Sequence, residues 1–229
     1  QTDLRQFEEF LSTTFPEFKS VSADYGVIRA WIVQLVESEI DSLSINRKIA
    51  CLRSYYKFLM RQEHIDKDPM GKIKVLKTKK KLPHFVKEND MVKLLDHAQF
   101  ENSHKGWRDR LIIELFYGTG MRLSELIDLK ESKLNMSDRT IKVLGKRKKE
   151  RVIPFGESLV PIIEAYRSVR NREVSVKNHG NLFVTDSGEH CYPMMVYRVV
   201  KKYLNLFSSI EKKSPHVLRH SYATHLLDK

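Results

Sequence analysis

Apolar residues recur at helical spacing along most of the chain. Leu4, Phe7, Phe10 and Leu11 form one such set, and Val27, Ile28, Trp31, Ile32 and Leu35 a second. A third carries Ile49, Leu52, Tyr55, Tyr56 and Leu59, with Ser44 as its expected N-cap. The aromatic stripe Tyr55, Tyr56, Phe58 is expected in the core. Leu111, Ile112, Leu115 and Phe116 predict a buried helix ending at Gly118-Thr119-Gly120, followed by a helix through Leu123, Leu126, Ile127 and Leu129. The period then changes. Thr140–Leu144 and Arg151–Phe155 are β-type runs flanking Gly145–Glu150, which predicts a hairpin. Leu159–Tyr166 is helical, and Leu182–Thr185 is an expected strand. Pro193 suits the first turn of a helix running to Phe207, and His216–Leu227 is the last helix. The pattern describes a mainly α protein with a small β-sheet, an α+β fold.

Length and charge divide this picture in two. A chain of 229 residues has room for two domains with proper cores. Its formal charge of +12 is unevenly spread. Residues 1–76 carry 11 basic and 11 acidic side chains, residues 77–87 five lysines and no acid, and the remainder a net +7. The lysine run ends in Leu82-Pro83, a helix-breaking signal. We therefore place a helical domain at 1–76, a basic linker at 77–84 and a second domain at 85–229. No apolar run approaches the ~18 residues of a membrane span. Asp3, Arg5, Glu8 and Glu9 interrupt any signal-peptide core. Two cysteines, Cys51 and Cys191, make neither a disulfide framework nor a metal cluster, so a cytoplasmic home is expected. A pI near 9.6 favours a polyanionic partner.

Several basic groups stand out within that charge. In the first domain Arg47, Lys48 and Arg53 fall largely off the apolar set, as a groove-binding face or simply a solvated one. Lys79, Lys80 and Lys81 of the linker suit a phosphate backbone, or plain solvation. Arg122 sits among apolar neighbours, where its charge needs a carboxylate or an anionic ligand. Glu125 is one candidate partner. The hairpin concentrates Lys146, Arg147, Lys148, Lys149 and Arg151 against a single acid, and a hairpin tip projects its side chains. His216 and Arg219 are three residues apart near a helix N-terminus, so they share a face suited to phosphate binding and proton transfer. His216 and His220 have zinc-type spacing, but the H-E-x-x-H glutamate is absent. A Ser-His-Asp hydrolase would need a G-x-S-x-G elbow, and a P-loop enzyme its glycine loop.

With these residues in place, the sequence resembles the tyrosine recombinases, and within them the Xer-type site-specific recombinases. The resemblance runs along nearly the whole chain, through "SINRKIACLRSYYKFLMRQEHIDKDP", "LPHFVKENDMVKLL", "GTGMRLSELIDL", "VLGKRKKERVIPF" and "HVLRHSYATHLL". It implies that Arg122, Lys146, His216 and Arg219 are catalytic; Glu125 either orients Arg122 from behind or simply caps or solvates its helix. Arg147 stands where the family's hairpin often has glycine. The resemblance also places the nucleophilic tyrosine, and a His or Trp before it, beyond Lys229, and a further helix before residue 1. Residues 1–229 are accordingly expected to be a trimmed catalytic domain joined to a core DNA-binding domain, able to bind DNA but not to cleave it.

The chemistry implied is transesterification. A tyrosine attacks a DNA phosphodiester, leaving a 3′-phosphotyrosyl bond and a free 5′-hydroxyl, and a second strand's hydroxyl reverses the step without ATP, metal or cofactor. Two arginines suit the non-bridging oxygens of that transition state, and a hairpin lysine suits protonation of the leaving oxygen. The resemblance further implies a two-domain clamp around a double-stranded recombination site in the nucleoid. It implies a homo- or hetero-tetramer on DNA at full length, the fragment alone being monomeric. Two other readings share these residues: a DNA-binding regulator that has lost catalysis, and a type IB topoisomerase.

Overall fold

A computed structural model describes residues 2–78, 84–145, 149–177 and 180–227. The chain divides into two compact units, Gln1–Lys81 and Leu82–Lys229. Among the described residues it is mainly helical, with one small antiparallel sheet, the fold class read from the sequence.

The first unit packs three helices, α1 (Thr2–Thr14), α2 (Tyr25–Glu37) and α3 (Ser42–Arg61). Their apolar faces meet in a core of Phe7, Leu11, Ile28, Trp31, Ile45, Ile49, Leu52 and Tyr56. The Phe7 and Trp31 rings lie 5.0 Å apart between centroids. Asp24 caps α2 by accepting from the Val27 N–H at 2.9 Å. Asp41 caps α3 by accepting from the Leu43 N–H at 3.0 Å, so the cap expected at Ser44 lies upstream. Tyr56 is buried, but Phe58 is 55% exposed. Two residues along a helix turn the side chain about 200°, to the opposite face.

The expected basic face of α3 also needs correction. Lys48 is only 5% exposed. Its ammonium bonds Asp3 and Gln6 of α1, so it ties two helices together inside the unit. Arg47 reaches the same Asp3 but remains exposed. Arg53 donates to the Ile73 carbonyl at 3.0 Å, and Asn46 pairs with both main-chain groups of Leu76. These bonds hold the segment leading out of the unit against α3.

The second unit is built around α5 (His104–Thr119), preceded by α4 (Glu88–His97). Leu111, Ile112, Ile113, Leu115 and Phe116 are all fully buried, so α5 is apolar on several sides and serves as the central helix. The short α6 (Leu123–Ile127) follows. Next come β1 (Leu134–Asn135), β2 (Thr140–Leu144) and β3 (Glu150–Pro154), paired antiparallel in that order with Val143 opposite Arg151 and Ile141 opposite Ile153. Three helices complete the unit: α7 (Leu159–Glu173), α8 (Pro193–Phe207) and α9 (Pro215–Leu227).

Leu182–Thr185 does not form a strand. Among the described residues this stretch makes one isolated bridge, Val184 to His190. Its main chain is held partly by main-chain bonds to Leu129 and Glu189 and partly by side chains: the Leu182 carbonyl accepts from Tyr166 Oη and Arg170 Nη1, and the Val184 carbonyl from the buried Arg108. The apolar run marks burial correctly, but no neighbouring strand pairs with it. No helix among the described residues is long and apolar enough to cross a membrane.

Candidate active site

The site begins where α5 ends. Gly120 closes the helix in the left-handed region (φ 57°), and its N–H donates to the Phe116 carbonyl. The chain then turns through buried Met121 to Arg122, which caps α6 in an extended conformation. Three residues on, Glu125 folds back. One carboxylate oxygen accepts from the Arg122 main-chain N–H and the other from Arg122 Nη1, both at 2.7 Å. Sequence spacing alone brings this pair together, since residues i and i+3 share a helix face.

A third group reaches the same carboxylate. Arg151 Nη2, on β3, donates to Glu125 Oε2 at 2.7 Å. Strand alternation explains its direction: Arg151 points to the same side as buried Ile153, while Val152 is exposed between them. The Glu125 side chain is 2% exposed and both arginine side chains are 40% exposed. Burial pushes the Glu125 carboxyl up, but the Arg122 N–H and the two guanidiniums outweigh it and hold it below the usual carboxylate range.

Arg219 completes the cluster from α9. Its ionisation is held down first by burial, then by the positive charges of Arg122 and Arg151, with Glu125 acting the opposite way. Two guanidiniums therefore bond one carboxylate and a third stands within reach of its charge, a local charge of +2. Arg219 Nη1 and Arg151 Nε are buried and have no protein acceptor. Buried donors of this kind are uncommon in folded proteins. The arrangement fits an anion with several oxygens.

Packing at three points holds α9 beside this turn. Ser221 Oγ accepts from the Val86 N–H at 2.8 Å, and Tyr117 Oη pairs with His225 Nδ1 at 3.0 Å. The Tyr222 ring lies directly over Gly120, where an added Cβ would stand 2.4 Å from Tyr222 Cδ1. In the first turn of α9, His216 is exposed and its Nε2 lies 2.9 Å from Nε2 of His220. His220 is pulled below the ordinary histidine range by burial, then by the neighbouring His216 and Arg219. It therefore suits the role of neutral partner to His216.

Of the expected site residues, Arg122, Glu125 and Arg219 come together. His216 stands one helical turn from Arg219. Lys146 and Arg147, like Lys79, Lys80 and Lys81, lie outside the described residues. Lys149 is exposed at the base of the hairpin, its carbonyl accepting from the Gly145 N–H at 2.7 Å. The sequence marks Arg151 only as part of the hairpin's basic density. Its place on the inward side of an alternating strand is the signal that singles it out.

Because the folded-state Glu125 pKa is depressed, its stabilising contribution is full above the unfolded value of about 4.3 and is lost as pH falls through the lower folded value. Glu125→Gln is expected to reduce the thermal midpoint at neutral pH and to flatten this acid limb. Melting curves of both proteins between pH 2 and 7 measure it, and parallel profiles would exclude Glu125 as the charge centre.

Both parts of the chain match known protein families. Residues 84–229 match the phage integrase family, and residues 1–63 the phage integrase N-terminal SAM-like domain. A tyrosine recombinase XerC from Chlorobaculum tepidum is 34% identical over 99% of this chain and 75% of its own length. One from Staphylococcus carnosus is 36% identical, with the same coverage. The XerC of Chlorobaculum parvum is 35% identical over 88% of this chain, which spans 66% of that relative. Among solved structures, a XerH site-specific recombinase bound to a palindromic difH substrate superposes with a TM-score of 0.79 at 22% identity, covering 98% of this chain and 66% of the other. The Tn1549 transposon integrase in complex with transposon right end DNA gives 0.73 at 20% identity, covering 99% and 80%.

Proposed function

The chain belongs to the phage integrase family of tyrosine recombinases, enzymes that break and rejoin DNA, and from that membership we propose how its own residues divide the work. Arg122 and Arg219 hold the non-bridging oxygens of the scissile phosphate through planar, charge-assisted donors. Their stabilisation grows as charge gathers on those oxygens in the transition state. His216 bonds the phosphate or moves the proton of the attacking tyrosine, and Lys146 protonates the leaving 5′-oxygen. Glu125 fixes Arg122 and keeps the arginines from repelling one another. The reaction exchanges one phosphodiester for another, so it needs no external energy source or cofactor.

The observation that carries this reading is the buried Glu125 carboxylate that fixes Arg122, with a buried Arg219 donor nearby left for an anion. The basic linker, Arg47, Arg53 and Lys149 supply sequence-independent contacts to the duplex. At full length the protein acts as a tetramer on two recombination sites in the cytoplasm.

DNA affinity is expected to fall steeply with salt. If about six phosphates are neutralised, the association constant drops by roughly 10³ between 50 and 200 mM salt. Fluorescence anisotropy of residues 1–229 on a duplex recovered by selection from random sequences measures the slope. Affinity insensitive to salt would overturn the interface.

A further inference from the structure

We propose that Arg151 is a third arginine of the phosphate site, positioning Arg122 through the shared Glu125 carboxylate and offering its own Nε–H to the anion held by Arg122 and Arg219. The inference rests on the recombinase reading of this site and extends it to a residue outside the four catalytic positions of the resemblance.

Strand geometry supports it first. Arg151 lies opposite Val143, one pair in from the hairpin end of the β2–β3 ladder, on the side that carries Ile153 and Ile141 into the core. An arginine in that register has left the solvated face for a costly environment. Its Nη2 is spent on Glu125, yet its Nε is buried without a protein acceptor. A purely structural ion pair would satisfy itself with the carboxylate and leave the remaining donors in water.

Charge balance points the same way. Glu125 can neutralise one guanidinium, but it stands among three. An arginine added to a site already holding two is unfavourable unless an anion completes the set. Phosphate oxygens do so, and the two unsatisfied donors, on Arg151 and Arg219, belong to different elements of the fold. Guanidinium chemistry fits the double duty. Five donors in a rigid fork let one side chain serve a carboxylate and a phosphate oxygen together, which a single ammonium does less well. The placement also couples the hairpin to the α6 cap. Any motion of β3 that draws Arg151 away removes one of the bonds that orient Glu125, and through it Arg122.

The test uses residues 1–229 labelled with nitrogen-15 and titrated with inorganic phosphate, following the arginine Nε–H resonances. Assignments come from Arg122→Lys, Arg151→Lys and Arg219→Lys. The Arg151 and Arg219 resonances are expected to move together and saturate at one dissociation constant. Arg151→Lys, which keeps the charge and loses the fork, is expected to weaken that binding about tenfold, as loss of a charge-assisted hydrogen bond does. If Arg122 and Arg219 respond while Arg151 stays still, the inference fails and the two-arginine site stands. If the cluster responds no more than surface arginines do, the phosphate site itself is refuted. The unsubstituted protein reports both outcomes, so a lysine variant that folds poorly does not decide the matter.

Discussion

Arg122→Ala in the full-length protein is expected to lower DNA strand cleavage by about 10²–10³-fold, the usual cost of removing one preorganised donor from a developing oxyanion. Duplex affinity should stay within a few-fold of the original, because one phosphate contact among many is lost. The substitution should spare the fold. Glu125 keeps the main-chain N–H of residue 122 and the Arg151 guanidinium, two of its three bonds. A suicide substrate that traps the covalent protein–DNA adduct separates the effects, read as adduct yield against binding in the same preparation. Near-normal trapping by the alanine variant would remove Arg122 from the chemistry. A parallel loss of binding and trapping would make it a docking residue instead.

Gly120→Ala is expected to cost about 3 kcal/mol of stability and most of the cleavage activity. Two penalties combine. A side chain in the left-handed region costs roughly 1–2 kcal/mol, and overpacking a filled contact typically adds 1–3. The contact is specific: the new methyl would stand 2.4 Å from Tyr222 Cδ1, so the ring must leave its place. Because Tyr222 lies one turn beyond Arg219, the displacement carries α9 away from Arg122. A double-mutant cycle with Tyr222→Ala measures the coupling. In that background Gly120→Ala should cost only the backbone strain. Equal costs in both backgrounds would show that the ring does not set the position of α9.

These two residues show how the site depends on a junction. Arg122 and Glu125 are placed by three residues of local chain. Arg219 arrives through packing of α9 on the α5 end, at Tyr222 over Gly120 and His225 against Tyr117, and on the segment before α4, at Ser221 against Val86. Preorganisation of a phosphate site needs both. Local bonds set the direction of one arginine, and a rigid helix contact sets the distance to the other.

Where periodicity was strong, the sequence alone was informative. The long helices α3, α5 and α8, the hairpin and the helical first unit follow from spacing, glycine and proline signals. The weaker elements did not. The two-residue β1 has no pattern of its own and exists because β2 offers it partners. Leu182–Thr185 has strand composition but is stitched by Tyr166, Arg170 and Arg108, which lie far away in sequence. Lys48 looked like its neighbour Arg47, yet it is buried on Asp3 and Gln6 because α1 happens to cross there.

By itself the sequence determined a mainly helical chain with a small sheet, the Arg122–Glu125 pair, and the family to which its motifs belong. The helices and that pair rest on spacings of three or four residues, which helix geometry converts directly into proximity, and the family rests on the order of its motifs. Only the tertiary structure decided that Arg151 joins Arg122 on Glu125, that Arg219 meets them, and that Lys48 is internal. The reason is physical: a charged side chain's role is set by whichever groups surround it in space. For these residues those groups come from other helices and strands, at separations that no local pattern encodes.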